Sequence, residues 1–156
     1  MIIDKKKVIC KLTVDKRGNM NKELLIKQIQ KHEGLRLKPY RCSAGKLSIG
    51  YGRNLDDVGI NKSEACMLLA NDIHKCIKQV EDNINCFEHL NDIRQNVIIN
   101  MCFNLGIYGL LRFRKFLAAL DNSEYDKASV EMLDSLWSKQ VGKRAIELSD
   151  QIRLGK

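Results

Sequence analysis

A chain of 156 residues, 44% of them hydrophobic, is one domain's worth, long enough to bury roughly two-thirds of its unfolded surface without a covalent staple. Its 27 lysines and arginines exceed 19 acids to give a formal net charge of +8, spread along the chain and not gathered in a tail. Such charge suits a solvated surface or attraction to a polyanion; with no helix-turn-helix, aromatic ribonucleoprotein motif or CxxC zinc spacing beside it, nucleic acid is the weaker partner. The start, Met-Ile-Ile-Asp-Lys-Lys-Lys-Val-Ile-Cys, carries charges where a secretory signal needs an unbroken apolar core, and no apolar run is long enough to span a membrane. The six cysteines, at 10, 42, 66, 76, 86 and 102, form no metal-ligand pairs. Cys66, Cys76 and Cys102 fall among apolar residues of helix-like segments, so reduced thiols and synthesis in a cytosol are expected.

In chain order, Val8, Cys10, Leu12 and Val14 alternate with polar residues, which fits either a short added strand or a poorly ordered extension over residues 1–20. Leu24, Leu25, Ile26 and Ile29 follow helical spacing over 22–33, with Asn21 able to cap the start and Gly34 able to end the helix in the left-handed conformation. Glu33 therefore falls in the last turn, where unpaired carbonyls and the negative end of the helix dipole disfavour a carboxylate, a disposition that suits a proton donor. Lys38 precedes the only proline and is biased to extended backbone, and Gly45 marks a hairpin turn. Beyond the turn, Leu47, Ile49 and Tyr51 share one strand face. Ser48, Gly50 and Gly52 share the other, where a ligand can approach the backbone closely. Asn61, with Glu64 three residues on, opens a helix that runs to about residue 81 through Ala65, Leu69, Ile73, Cys76, Ile77 and Val80. Asn91 caps another, in which the stretch from Val97 to Phe103 is apolar nearly all round and belongs at the centre of a bundle. Helices over roughly 107–120, 123–137 and 142–153 complete an α+β chain without repeats.

The order Glu33, eight residues, Cys42, five residues, Ser48, with Gly-Leu-Arg-Leu after the glutamate and Ile-Gly-Tyr-Gly around the strand end, resembles the phage-type (T-even and lambdoid) lysozymes, endolysins of glycoside hydrolase family 24. The usual family pattern is Glu-x8-Asp-x5-Thr, with cysteine known in place of the aspartate in some members. Residues 53–60, Asn100–Gly106, and Trp137 followed by Lys143-Arg-Ala145 also look like family segments, so that the likeness covers nearly everything from residue 21 onward. It implies a domain over 21–156 with a lysozyme-like fold, a small β-hairpin lobe and a larger helical lobe with a cleft between them. It further implies an N-acetylmuramidase that cleaves peptidoglycan from within the host bacterium to release phage. The expected enzyme is a monomer made in the host cytoplasm, with no cofactor; a holin-type helper is one route to the periplasmic wall.

The resemblance makes Glu33 the general acid of glycoside hydrolysis. Cys42 stands in the aspartate's place. A free thiol titrates near pH ~8.5, so only a few per cent is thiolate at neutrality unless cations such as Arg41 lower the value. A neutral thiol is a poor base; a thiolate can position or activate water, or attack the anomeric carbon. Ser48 replaces threonine with loss of a methyl and can hold the attacking water. Gly50 and Tyr51 are expected along the substrate. Arg53 and Asp72 take the places of a paired histidine and aspartate in T-even relatives, and Arg144 matches a family arginine that approaches the acid. Asn100 and Asn104 share one face of the apolar helix, Asn104 expected at the sugar or stem peptide and Asn100 expected to be structural. Trp137 reads as core, and His32, His74 and His89 form no metal spacing. The competing reading is a wall-binding module of the same fold with weakened catalysis, favoured by Cys42 and Ser48.

Overall fold

The computed structural model describes residues 21–156; the strand expected over 8–14 lies outside them. The chain divides into two compact units, one ending at Ile60 and the other running from Asn61 to Lys156. The α+β class is as expected, with seven α-helices and one small antiparallel sheet among the described residues.

The first unit opens with α1 (Lys22–Glu33), whose start is capped as its sequence predicts, the Leu24 amide donating to Asn21 Oδ1 at 3.0 Å. Its apolar side chains are not buried: Leu24 is 63% exposed and Ile29 46%. Gly34 ends the helix at φ 67° but ψ 159°, so the positive φ is as expected while the left-handed helical cap is not formed. The chain instead runs out extended into β1 (Arg36–Arg41), which pairs antiparallel with β2 (Leu47–Gly50), itself paired with β3 (Arg53–Asn54). Tyr40 faces Ser48 and Arg41 faces Leu47, and the β1–β2 register shifts between Arg36 and Tyr40. Pro39, with no amide to give to the ladder, falls inside that irregular stretch. The alternation read through Tyr51 and Gly52 stops two residues early. β2 ends at Gly50, and the chain turns through Tyr51 and Gly52 into β3.

The second unit is helical. At the start of α2 (Lys62–Glu81) the predicted capping box is complete, the Glu64 amide giving 3.0 Å to Asn61 Oδ1 and the Asn61 amide 2.8 Å to Glu64 Oε2. Only Cys76 and Val80 of this helix are buried, and Leu69 is 47% exposed. α3 (Asp92–Leu110) is the central helix, with Val97, Ile98 and Met101 fully buried. Gly106 interrupts it at φ 69° and ψ 163°, a backbone conformation that L side chains resist and that kinks the helix. The expected helix over 107–120 is further broken at 111–113, where the axis bends by 112° into α4 (Arg114–Asp121). The expected helix over 123–137 is likewise two, α5 (Tyr125–Leu133) and α6 (Leu136–Val141), because Ser135 Oγ accepts the Ser138 amide at 3.0 Å and starts a new helix. α7 (Lys143–Leu154) closes the unit. Phe113 sits edge-on to both Phe116 and Trp137, and Trp137, 4% exposed, is core as predicted. No single helix among the described residues is long and apolar enough to cross a membrane.

Candidate active site

Six of the predicted residues, Glu33, Cys42, Ser48, Gly50, Tyr51 and Arg53, lie in the first unit. Glu33, at the C-terminal end of α1, is exposed. Its carboxylate lies against the β2–β3 turn: a Cβ built on Gly52 would be 3.2 Å from Glu33 Oε2. Gly52 also has φ 80°, so the backbone conformation favours glycine there, and a side chain would press on the carboxylate as well. The sequence reading grouped Gly52 with the strand face and missed this contact with the acid; the Gly-x-Gly spacing was the available signal.

Ser48, on β2 and facing Tyr40 of β1, is buried at 3% exposure. Cys42 begins the hairpin turn, its amide donating to Lys46 O at 2.9 Å and its carbonyl accepting from the Gly45 amide at 2.9 Å. The Ala44 and Lys46 backbone amides of this turn are the main donors acting on the Cys42 sulfur. Those two donors, helped by the Ser48 hydroxyl, favour the thiolate and hold the thiol below its ordinary range, while partial desolvation works against them. The cation expected to do this, Arg41, is occupied elsewhere: its guanidinium donates to Gly45 O at 2.8 Å. Gly50 and the 40% exposed Tyr51 occupy the end of β2 and the turn after it. Arg53 donates from Nε to Gly59 O at 2.6 Å.

Asp72, Asn104 and Arg144 belong to the helical unit. Asp72 is exposed on α2. Asn104 Oδ1 accepts from Trp137 Nε1 at 2.7 Å, so its carbonyl is committed to the core tryptophan. Arg144 donates from Nε to Asn100 Oδ1 at 3.0 Å, with Nη2 on the same oxygen. Asn100, read only as structural, is thus the residue that orients Arg144. An amide on an otherwise apolar helix has to find a partner, and two amides four apart on α3 take theirs from α6 and α7. This unit also holds a pocket of about 530 Å³ lined by Phe113, Trp137, Arg112, Arg114 and Lys115 among others, none of them a predicted site residue except as core. Among the described residues no group of histidine, cysteine and carboxylate side chains is arranged to hold a metal.

With this geometry stand three likenesses in sequence and a family match. The profile of the phage lysozyme family matches residues 30–151. The chain belongs to the phage lysozyme family. An endolysin of Acyrthosiphon pisum secondary endosymbiont phage 1 is 32% identical over 120 residues, 74% of this chain and 80% of that one. The probable T4-type lysozyme 1 of Dictyostelium discoideum is 29% identical over 99 residues, covering 62% of this chain and 58% of the relative. The pre-baseplate central spike protein Gp5 of Enterobacteria phage T4 is 25% identical over 175 residues, 94% of this chain but only 30% of the spike protein.

Proposed function

We propose that this member of the phage lysozyme family is an endolysin of the T-even and lambdoid type, glycoside hydrolase family 24. It is read as an N-acetylmuramidase (EC 3.2.1.17) that hydrolyses the β-1,4 bond between N-acetylmuramic acid and N-acetylglucosamine in peptidoglycan. The observation that carries the reading is the pairing, within one small unit, of a helix-end carboxylate lying against Gly52 with a thiol favoured as thiolate beside Ser48. Glu33 gives its proton to the glycosidic oxygen as the bond to the anomeric carbon breaks. Cys42 thiolate takes the proton from a water that Ser48 helps to hold, and that water's oxygen adds to the anomeric carbon. Gly50 and Tyr51 line the sugar, and the Nδ2 of Asn104, its Oδ1 being engaged, donates to an acetamido group or stem peptide. By the resemblance, Arg53, Asp72 and Arg144 are supporting residues for the acid.

In this reading residues 21–156 are the lysozyme domain and 1–20 an extension, the protein works as a monomer without cofactor, and the host cytoplasm holds it until a holin-type helper opens the way to the wall. Family membership supports the substrate. The test is Glu33→Gln, which keeps shape but cannot act as a carboxylic acid: turbidity loss of outer-membrane-permeabilised cells is expected to fall by ~10²–10⁴-fold with the circular dichroism spectrum retained. A folded variant that lyses like wild type removes Glu33 from the mechanism. The thiol at position 42 favours a second reading, a wall-binding module with weakened catalysis, which predicts binding to sacculi without release of reducing ends in the wild-type protein.

A further inference from the structure

The Cys42 turn is closed by its own hydrogen bonds, and a second loop grips it from outside. Lys46 is bound at both ends: its carbonyl accepts the Cys42 amide at 2.9 Å, and its ammonium pairs with Asp57 Oδ1 at 2.8 Å. Leu47, next in the chain and immediately before Ser48, is bound on both backbone groups. Its amide donates to Asp56 Oδ2 at 2.9 Å and its carbonyl accepts from the Leu55 amide at 2.7 Å. The gripping loop is rigid in turn, because Asn54 Oδ1 takes the Asp57 amide at 3.0 Å while Asn54 Nδ2 donates to Asp57 Oδ2 at 2.8 Å. Asn54 is also the β3 partner of Ser48. Thus one Asn-Leu-Asp-Asp segment fixes the two residues that link the sulfur's amide donor to the buried hydroxyl.

We infer that Asp56 and Asp57 are positioning residues for the thiol site: they hold Lys46 and Leu47, and with them the turn that carries Cys42 and the strand start that carries Ser48. The charges around the sulfur make this distinguishable from simple electrostatics. Arg41 is tied to Gly45 O and Lys46 to Asp57, and the two aspartates are the anions of the gripping loop. As bare charges, both aspartates oppose a thiolate, so deleting them would favour it. As positioning groups, they support the thiolate through the turn they hold, so deleting them disfavours it. The two roles predict opposite signs.

The inference rests on the proposed part of Cys42 in the reaction, but its test does not use lysis. The full chain is treated with iodoacetamide across a pH series and modification of Cys42 is followed by peptide mass spectrometry, the rate reporting the thiolate. Asp56→Ala and Asp57→Ala are expected to shift the Cys42 profile to higher pH and to slow its alkylation at neutral pH several-fold. Asp56→Asn, which keeps an oxygen to accept the Leu47 amide but no charge, is expected to retain the wild-type rate or exceed it. Faster or unchanged alkylation in the alanine variants, or an Asp56→Asn as slow as Asp56→Ala, overturns the proposal. If the shift appears while Cys42→Ala lyses cells at full rate, the positioning stands and the role of Cys42 in hydrolysis falls.

Discussion

A thiol in the place of a carboxylate changes the pH at which the site carries its anion. An aspartate ionises near pH ~3.9 and a free cysteine near ~8.5; at position 42 the Ala44 and Lys46 amides narrow that gap by favouring the thiolate. If the thiolate takes the proton from water, lysis must rise with pH as Cys42 ionises, and the rise must come below the ordinary thiol range. Cys42→Asp is then expected to remain active and to lack this limb, while Cys42→Ala falls steeply at every pH. Turbidity loss of permeabilised cells from pH 5 to 9 checks all three proteins, and equal near-wild-type rates would show that position 42 has no chemical role. At this scale the sequence was informative about which residues to watch and poor on what tunes them. The resemblance, carried by several segments in order, pointed to Glu33, Cys42 and Ser48; their spacing alone would have been weak. The donors that favour the thiolate could not be read, since backbone amides carry no residue-type signature and their aim depends on the turn. Arg41, the visible cation, turned out to bind a carbonyl of that turn.

Helix starts were the most legible elements because a cap is a local hydrogen bond between residues three apart. Asn21, Asn61 and Asn91 each accept an amide as expected, the last from Arg94 at 3.0 Å. Helix interruptions were not legible. The bend at 111–113 places Phe113 against Phe116 and Trp137, the latter 24 positions on, so long-range packing overrides a continuous apolar pattern. The same holds for the end of α7, whose last carbonyls have no partners within their own helix. Arg94, a half-buried residue on α3, supplies them: Nε donates to Ile152 O at 2.7 Å and Nη2 to Arg153 O at 3.3 Å, while the guanidinium lies 3.5 Å over the Tyr125 ring. One side chain therefore ties α3, α5 and α7. Arg94→Ala is expected to cost about 1–3 kcal/mol, from the part-buried Ile152 carbonyl left without its donor and a lost cation–π contact. Arg94→Lys, a point charge without the fork, should recover little of it. Urea unfolding with an unchanged slope checks both, and a loss under about 0.5 kcal/mol in Arg94→Ala would show the contacts to be incidental.

Across the whole molecule, the +8 charge and the six cysteines were the first things the sequence offered, and the structure separates the thiols by environment. Among the described residues all five are free; Cys66 is exposed and Cys42 half-buried, whereas Cys76, Cys86 and Cys102 are buried in the helical unit. Burial, with the Asp121 carboxylate accepting its proton, pushes the Cys86 thiol up to about 12. Burial against the Cys76 sulfur pushes Cys102 up to about 12 as well. In the unfolded chain the same groups ionise near pH ~8.5. Below that pH both states hold the protons and the stabilisation is complete. Above it the unfolded state binds fewer protons than the folded one, so stability falls as pH rises, until the folded thiols ionise near 12. Lysines and tyrosines also titrate in this range, so the thiol contribution must be read as a difference. Thermal unfolding of wild type and of the double variant Cys86→Ala/Cys102→Ala, followed by circular dichroism from pH 7 to 10.5, provides it. The variant, with small cavities in place of two sulfurs, is expected to melt lower at pH 7 and to lose Tm less steeply above pH 8.5, so that the two curves converge. Parallel curves across the whole range would mean that these thiols ionise alike in the folded and unfolded chain, and that the buried cysteines act on stability through packing alone.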